Sequence, residues 1–244
     1  MNLKNKVVLV TGASSGIGQA IAIEFAKAES VVLINYRKNK KGAQETLKEV
    51  EKHSSGGIFQ ADLSIEEQVS KMYASISKEY KNIDILVNNA GDAGPGEIDD
   101  MEMWDYQWKN TFLSCVITAS EFLKMSKPKE LRKIINISSV YGLFNSADTN
   151  FMQYSAAKAA MNSFTVSIAK KLGPDVLVNA IAPGYTWTPA WEEISKKDEE
   201  QCKNETIIKR YIEPEEIAEV VLMLGRSDAM TGAIVVVDGG LTLK

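Results

Sequence analysis

A tyrosine and a lysine four positions apart are the residues of this chain whose chemistry depends most on their spacing. Tyr154 and Lys158 lie in the alanine-containing stretch Tyr-Ser-Ala-Ala-Lys, which has the pattern of a helix. A four-residue separation places both side chains on one helix face, about one turn apart. A free tyrosine titrates at about pH 10, and an adjacent ammonium group favours the phenolate and lowers that pKa. This pair is suited to proton transfer near neutrality, although the same spacing also occurs in ordinary surface pairs.

Two other polar residues are candidates for the same chemistry. Ser139 directly follows an apolar stretch that ends at Ser138, so it stands at the end of a predicted strand. Asn110 lies in the middle of a long helical pattern over residues 99–124. Asparagine is a poor helix former, and its presence there indicates either a kink or an inward-facing polar role.

Histidine and cysteine contribute little to the chemistry of this chain. The chain has one histidine, His53, and two cysteines, Cys115 and Cys202. This supply excludes zinc sites rich in histidine and cysteine, and we expect no bound metal. Two cysteines without a pattern also give no disulfide framework, which favours a reducing cytoplasm.

A glycine-rich turn near the start of the chain predicts a phosphate-binding site. Residues 7–10 form an apolar run typical of a buried parallel strand, and Gly12, Gly16 and Gly18 follow before a helical pattern. A strand, a glycine turn and a helix together point backbone N–H groups and the positive end of the helix at a phosphate. No Gly-Lys-Ser/Thr follows, which argues against a P-loop. A structural turn that closes any βα unit is the alternative.

The end of the second predicted strand favours NADP over NAD. Dinucleotide-binding folds place an acid about twenty residues after the glycine turn when they bind the ribose 2′-hydroxyl of NAD. This chain has no acid between Val31 and Lys41, and it offers Arg37 and Lys38 instead. A guanidinium group is well suited to a 2′-phosphate. A solvated basic loop would explain the same residues.

Strand and helix patterns alternate along the whole chain. Predicted strands occupy residues 7–10, 31–34, 57–61, 84–87, 133–138, 176–181 and 233–237. A capping box, Ser64-x-x-Glu67, is expected to open one of the helices. Residues 185–212 lack core periodicity and are expected to form a substrate-binding lid. We predict an α/β fold, a single doubly wound Rossmann domain over residues 1–244 with about seven parallel strands and helices on both faces.

Bulk properties exclude several classes of protein. The chain has 244 residues and a net charge of −4, so it shows no basic footprint for nucleic acid or an anionic membrane. No apolar run approaches the length of a membrane span, and the first predicted strand follows the start so closely that we expect no secretion signal. These features predict a cytoplasmic protein.

Five motifs in order resemble those of the classical short-chain dehydrogenase/reductases. They are Thr11-Gly-Ala-Ser-Ser-Gly-Ile-Gly18, Asn88-Asn-Ala-Gly91, the serine after the fifth strand, Tyr154-x-x-x-Lys158 and Pro183-Gly184. The resemblance covers essentially the whole chain. It implies that Tyr154 is the general acid in reduction and the base in oxidation, and that Ser139, rather than Ser138, binds the substrate oxygen. It also implies that Lys158 holds the nicotinamide ribose and that Asn110 holds a water linking this lysine to solvent.

The resemblance also implies a set of cofactor-binding residues for NADP, with NAD as a possible second cofactor. These are Gly12, Ser14, Ser15, Gly16, Ile17, Gly18, Tyr36, Arg37, Asp62, Leu63, Asn89, Ala90, Gly91, Tyr154, Lys158, Pro183, Gly184, Thr186 and Thr188. Alternatives remain for some of them: Asp62 could cap the next turn, Thr188 could cap a loop, and Asn89 could serve to bridge strands. Thr186 also stands where the family usually has an apolar residue, and fifteen positions separate Ser139 from Tyr154, so we expect an enlarged loop between them.

The resemblance implies an NADP(H)-dependent oxidoreductase acting on a small carbonyl or alcohol. A 3-oxoacyl thioester is one candidate substrate, with Arg132 and Lys133 as possible docking residues for an acyl carrier protein; a sugar, polyol, steroid or other ketone is equally open. Trp187 and Trp191 weakly favour an apolar or ring-shaped substrate. A cofactor-sensing protein without turnover is the alternative. The family commonly forms homotetramers, which is consistent with an aromatic stripe of Trp104, Trp108 and Phe112.

Overall fold

The computed structural model describes residues 1–125, 131–191 and 194–243. Its strands are β1 (Val7–Val10), β2 (Val31–Tyr36), β3 (Gly56–Gln60), β4 (Ile85–Asn88), β5 (Arg132–Ile137), β6 (Val176–Pro183) and β7 (Ile234–Val237). They form one parallel sheet in the order β3-β2-β1-β4-β5-β6-β7. The seven parallel strands expected from the sequence are confirmed.

The described parts of the chain contain eight α-helices, and helices cover both faces of this sheet. They are α1 (Gly16–Lys27), α2 (Lys40–Val50), α3 (Glu66–Glu79), α4 (Met101–Gln107), α5 (Ser114–Lys124), α6 (Met152–Leu172), α7 (Lys196–Glu205) and α8 (Pro214–Arg226). Buried residues of α1, α2 and α8 form one apolar core, and those of α3, α5 and α6 form the other. Val8 and Val10 belong to the first core and Leu9 to the second, because successive strand residues point to opposite faces. The doubly wound α/β fold is confirmed.

From β1 the chain adds β2 and β3 on one side, and it then continues with β4 on the other side of β1. Connections that leave β1 and β4 therefore run in opposite directions and open a crevice beyond the carboxyl ends of these strands. Ligands of open parallel sheets bind in this type of crevice. The glycine turn after β1 and the Asn-Asn-Ala-Gly segment from the end of β4 both lie there.

Helical boundaries differ from the sequence expectation in two places. Ser64 does not cap α3, which begins at Glu66 with Ile65 as its N-cap and no side-chain cap. Asp62 Oδ1 instead accepts from the Ser64 backbone N–H at 3.0 Å and its hydroxyl at 2.6 Å, so the capping-box prediction is wrong. The long helix expected over residues 99–124 is divided into α4, a π-helical segment at Trp108–Leu113 and α5.

Residues 185–212 leave the sheet and return to it at nearly the same point. The Trp187 N–H donates to the Ile212 carbonyl at 2.8 Å, and the Ile212 N–H donates to the Tyr185 carbonyl at 2.9 Å. The described part of the segment contains a 3₁₀ turn (Pro189–Trp191) and α7. None of the helices described in this chain is long and apolar enough to cross a membrane.

Candidate active site

The turn after β1 requires glycine at three positions. Gly12 and Gly16 have φ angles of +62° and +56°, in the left-handed region that glycine enters without steric cost. A Cβ on Gly18 would lie 2.5 Å from Asn89 Nδ2 and 2.7 Å from the Gly12 carbonyl oxygen. Asn89 Nδ2 itself donates to the Thr11 carbonyl at 2.9 Å. The turn is thus packed against the end of β4. Asn89 bridges the ends of β1 and β4, which was the alternative to a cofactor-binding role.

Asn35 is a structural part of this site that the sequence analysis did not identify. It is 1% exposed, and its Oδ1 accepts from the Gly12 N–H at 3.2 Å. Its Nδ2 donates to the carbonyls of Phe59 and Ala61, both at 3.3 Å. The signal for it is a polar residue near the end of an otherwise apolar buried strand.

The first turn of α1 fits a phosphate group. Its N-cap, Ser15, makes no side-chain cap hydrogen bond, and the turn contains no acid. The first N–H groups of a helix lack partners within the helix and carry partial positive charge. Because Gly16 and Ile17 line a cavity at this point, the residues present fit the pyrophosphate of a dinucleotide.

A cavity of about 530 Å³ joins this turn to the candidate proton-transfer residues. The sequence-predicted residues that line it are Gly12, Ser15, Gly16, Ile17, Gly18, Asn89, Gly91, Ser139, Tyr154, Lys158, Pro183, Gly184, Thr186 and Thr188. They come from the ends of β1, β4, β5 and β6 and from α6, which meet at the carboxyl edge of the sheet. Thr186 Oγ1 donates to the Gly184 carbonyl at 3.1 Å, which holds the loop after β6 in a closed turn.

Lys158 is a buried cation at the base of the cavity. It is 3% exposed, and its Nζ donates to the Ile137 carbonyl at 2.6 Å. The same Nζ lies 5.4 Å from the centroid of the Tyr154 ring. Burial lowers the pKa of Lys158 to about 8, because desolvation disfavours its charged form. At pH 7 the group therefore still carries a proton.

The pKa of Tyr154 departs from the sequence expectation. Burial raises it to about 12, while a hydrogen bond with the Ser139 side chain acts to lower it. The predicted lowering of this pKa by Lys158 is wrong. The ammonium lies over the ring rather than at the hydroxyl and is committed to a backbone carbonyl. Tyr154 is thus a neutral phenol at pH 7, in the form that donates a proton.

Ser139 and its neighbour Ser138 point to different partners. Ser138 is 3% exposed and donates to the Lys158 backbone carbonyl at 3.4 Å. Ser139 hydrogen-bonds with Tyr154 and accepts from the Tyr141 N–H at 3.2 Å. The arrangement brings the hydroxyl groups of Ser139 and Tyr154 to one wall of the cavity, which Ser138 also lines.

The side chain of Asn110 contacts Arg37 and Tyr106, and its expected role in holding a water near Lys158 stays a prediction. Its Oδ1 accepts from Arg37 Nη1 at 3.1 Å, and its Nδ2 donates to the Tyr106 carbonyl at 2.9 Å. Thr111, the next residue along, and the buried lysine both lie near Gly91. A Cβ on Gly91 would stand 3.7 Å from Thr111 Oγ1 and 3.8 Å from Lys158 Nζ. Thr111 is fully buried, and no feature of the helical pattern distinguishes it from its neighbours.

The residues predicted for the adenosine end of a dinucleotide do not line the cavity. Arg37 is exposed beyond the end of β2, and Asp62 uses one carboxylate oxygen in the turn before α3. Tyr36 and Leu63 are 5% and 6% exposed and pack in the two apolar cores. Two further predicted residues also lie outside the cavity lining, Ser14 in the glycine turn and Ala90 beside the second core.

The far end of the cavity is aromatic. Its lining includes Tyr141, Phe151, Tyr185 and Trp191. The Tyr141 and Tyr185 hydroxyl oxygens lie 3.4 Å apart, and the Tyr185 hydroxyl donates to Glu205 Oε2 of α7 at 2.8 Å. The segment 185–212 therefore contacts the cavity through aromatic rings and through one hydrogen bond from its helix.

Of the two tryptophans in this segment, one faces the cavity. Trp191 lines it, with its ring centroid 5.8 Å from that of Tyr185. Trp187 instead packs against Tyr211, with a centroid separation of 5.1 Å. The aromatic character predicted for the loop thus reaches the cavity through Trp191.

Two basic residues considered for docking an acyl carrier protein are buried. Arg132 is 3% exposed and donates to the Phe122 carbonyl at 2.9 Å. Lys133 is 1% exposed and contacts Asp228 at 2.7 Å. Both begin β5, at the edge of the sheet opposite the cavity, so the structure contradicts their use as docking residues at the cavity mouth.

Comparison with known proteins agrees with this geometry. A family model described as enoyl-(acyl carrier protein) reductase matches residues 12–242. A 3-oxoacyl-[acyl-carrier-protein] reductase of Thermotoga maritima is 33% identical over 252 residues, covering 100% of both chains. The chain belongs to the short-chain dehydrogenase/reductase family. As a member, it is an NAD(P)-dependent oxidoreductase.

Other short-chain dehydrogenase/reductases with this fold carry varied names. The 3β-hydroxysteroid dehydrogenase 1 of Eggerthella lenta is 34% identical over 254 residues, with 99% of this chain and 95% of the relative covered. The L-sorbose reductase of Gluconobacter frateurii, solved with NADPH and L-sorbose, superposes with a TM-score of 0.92 at 27% identity and 100% coverage of both chains. An actinorhodin polyketide ketoreductase variant with NADPH gives 0.89 at 28% identity, with 97% of each chain covered.

Replacing Gly18 by alanine is expected to weaken dinucleotide binding. The new Cβ would clash with Asn89 Nδ2 and the Gly12 carbonyl, so the phosphate turn must move. We expect the dissociation constant for a reduced nicotinamide cofactor, measured by its fluorescence, to rise by about tenfold or more. Gly94→Ala is the control, because its Cβ would first meet the flexible end of Met103 at 3.4 Å. Equal affinities for both variants would contradict a phosphate site at this turn.

Proposed function

We propose that this protein is an NADP(H)-dependent carbonyl reductase or alcohol dehydrogenase. The observation that carries the proposal is the meeting of two sets of groups in one cavity. A glycine turn and a helix N-terminus form one side, and the hydroxyls of Ser139 and Tyr154 with the buried cation of Lys158 form the other. A phosphate-binding turn alone would serve any nucleotide, whereas the second set adds groups suited to a carbonyl oxygen.

The roles of the side chains follow from their protonation states. The nicotinamide, when bound, supplies or accepts the hydride. The Ser139 hydroxyl donates to the substrate oxygen and stabilises the negative charge that develops on it during reduction. Tyr154, a neutral phenol at pH 7, gives its proton to that oxygen. Lys158 donates to the Ile137 carbonyl and keeps its ammonium group beside the Tyr154 ring, where it supplies positive charge at the base of the cavity.

Arg37 and the lack of an acid between Val31 and Lys41 support NADP(H) as the preferred cofactor. Residues between Val31 and Lys41 include no aspartate or glutamate that could accept from a ribose 2′-hydroxyl. Arg37 is exposed and has a guanidinium group available for a 2′-phosphate. Two structural relatives of the chain were solved with NADPH.

The aromatic end of the cavity supports a small, ring-bearing carbonyl or alcohol as substrate. Tyr141, Phe151, Tyr185 and Trp191 offer flat apolar surface with two hydroxyl groups. Binding of a protein-bound acyl chain is less well supported, because Arg132 and its basic neighbour are buried at the opposite edge of the sheet. Residues 185–212 would act as the lid over this substrate.

The domain, assembly and location expected from the sequence remain predictions. We keep a single domain over residues 1–244 and a cytoplasmic location. A homotetramer is supported by an aromatic surface at α4–α6, where Trp108 is 43% exposed and its ring centroid lies 4.8 Å from that of Phe112. Phe164 of α6 continues this surface, with its ring 6.0 Å from Phe112.

Removing the Tyr154 hydroxyl distinguishes an enzyme from a cofactor-sensing protein. Tyr154→Phe is expected to lower kcat for ketone reduction by about 10²-fold to 10⁴-fold, the usual contribution of a positioned general acid. Binding of NADPH should persist, because the ring still fills its place beside Lys158. Tyr80→Phe, a half-buried tyrosine at the end of α3, is the control. Undiminished turnover of Tyr154→Phe would contradict the mechanism.

The two directions of the reaction should respond differently to pH. Alcohol oxidation needs the Tyr154 phenolate, and a pKa raised to about 12 makes this form scarce at neutral pH. We therefore expect kcat/KM for oxidation to rise between pH 6 and 8, below the pKa of about 8 at which Lys158 loses its charge. Ketone reduction needs the neutral phenol, which is fully present over this range, so its kcat/KM should not rise. Parallel profiles in initial-rate assays would show that another group controls the proton.

Substrate preference should follow the aromatic wall. With NADPH, kcat/KM is expected to be higher for steroid and bicyclic aromatic ketones than for an acetoacetyl thioester. Trp191→Ala should reduce turnover of the ring ketones by about tenfold, because it removes apolar surface from the cavity. Trp104→Ala lies outside the cavity and is the control. A clear preference for the thioester would contradict this assignment of the substrate while leaving the reductase activity intact.

A further inference from the structure

The Arg37 side chain is held in one direction although it is exposed to solvent. Its backbone carbonyl accepts from Gln60 Nε2 at 3.0 Å, which ties the end of β2 to β3. Its guanidinium reaches across to the helix that follows β4, where Nη1 donates to Asn110 Oδ1 at 3.1 Å. An exposed arginine without partners would instead sample many rotamers.

The Arg37 guanidinium has a second partner, Tyr106, one helical turn before Asn110. Tyr106 forms a side-chain hydrogen bond with Arg37, and this bond raises the pKa of the guanidinium. The Tyr106 hydroxyl donates to Asp92 Oδ2 at 2.7 Å. Asn110 Nδ2 donates to the Tyr106 carbonyl at 2.9 Å, so the amide is oriented with its oxygen toward Arg37. Three residues thus form a hydrogen-bonded series that ends on the guanidinium.

The π-helical segment explains why Asn110 is available for this contact. A π-helical turn holds more residues than an α-helical turn, so the residues within Trp108–Leu113 are rotated relative to a regular helix. In this arrangement Thr111 is fully buried and lies near Lys158, while Asn110 is turned toward Arg37. The side-chain oxygen of Asn110 is therefore directed to the Arg37 guanidinium.

We propose that Asn110 and Tyr106 are positioning residues that hold the Arg37 guanidinium to receive the 2′-phosphate of NADP(H), an inference that rests on the cofactor preference proposed above. A guanidinium group has five N–H donors in a planar fork, so these two contacts leave donors for a phosphate. Fixing the side chain before binding reduces the entropy lost when the phosphate is bound. The discrimination between NADP(H) and NAD(H) is thereby shared between the end of β2 and the helix after β4.

The adenosine halves of the two cofactors provide a test that does not involve turnover. Calorimetric titration of the full chain with 2′,5′-ADP and with 5′-AMP compares binding with and without the 2′-phosphate. Wild-type protein is expected to bind 2′,5′-ADP more tightly, and Arg37→Ala should remove the difference. Asn110→Ala and Tyr106→Phe should each weaken 2′,5′-ADP by about threefold to tenfold and leave 5′-AMP unchanged.

Matched controls separate positioning from general damage to the helix. Asn145→Ala and Tyr80→Phe change the same residue types away from Arg37 and should leave both affinities at the wild-type values. Circular dichroism and the thermal midpoint of each variant report whether it folds. Arg37→Lys keeps the charge but lacks the planar fork, so it should recover only part of the preference for the 2′-phosphate.

The possible outcomes distinguish this inference from the proposed function. If wild-type protein binds both ligands equally, the proposed NADP(H) preference is wrong. If wild type discriminates and Arg37→Ala does not, unchanged discrimination in Asn110→Ala and Tyr106→Phe overturns the positioning role alone. Tighter 2′,5′-ADP binding in these two variants also overturns it, because the contacts would then compete with the phosphate. A loss of ketone turnover in Asn110→Ala with unchanged discrimination would return Asn110 to the lysine site.

Discussion

The buried ammonium group of Lys158 is the constraint on which the rest of the candidate site depends. Moving an unpaired charge out of water costs several kcal/mol, so the side chain must find a polar partner inside the protein. It finds the Ile137 carbonyl at the end of β5, 2.6 Å away. This bond requires α6 to lie close to β5, and Gly142 permits the approach, since a Cβ there would stand 2.7 Å from the Lys158 carbonyl carbon. Tyr154, one helical turn earlier, is thereby placed beside Ser139.

The parts of the fold and site that could be predicted are those determined by local sequence. The apolar run of β1, the glycines after it and the helix that follows are contiguous, and their spacing alone specifies a phosphate turn. Tyr154 and Lys158 share a helix face for the same local reason. Predicting the strand order also required a general rule of doubly wound folds, in which the strands are added in both directions from a switch point. The carboxyl ends of four strands then had to meet, and the cavity lies where they do.

The parts that could not be predicted depend on contacts between distant elements. A π-helical segment interrupts the 3.6-residue period at Trp108–Leu113. The asparagine in mid-helix indicated a kink, but the sequence did not indicate that its side chain would contact Arg37. Arg132 is buried, although arginine is usually exposed. A cation–π contact, with Arg132 Cζ 4.5 Å from the ring centroid of Phe122, offsets part of the cost of burying its charge. Burial raises the pKa of Tyr154, and this burial cannot be predicted from the spacing of Tyr154 and Lys158 along the chain.

One short helical segment links the two ends of the site. Within Trp108–Leu113, Thr111 lies beside Gly91 and the buried lysine, and the residue before it contacts Arg37. Thr111 Oγ1 donates to Gln107 Oε1 at 2.9 Å, so its orientation is also fixed within the helix. A shift of this segment that changes the contact to Arg37 would therefore also move Thr111, so one helical segment joins the proposed phosphate-binding and proton-transfer ends of the site.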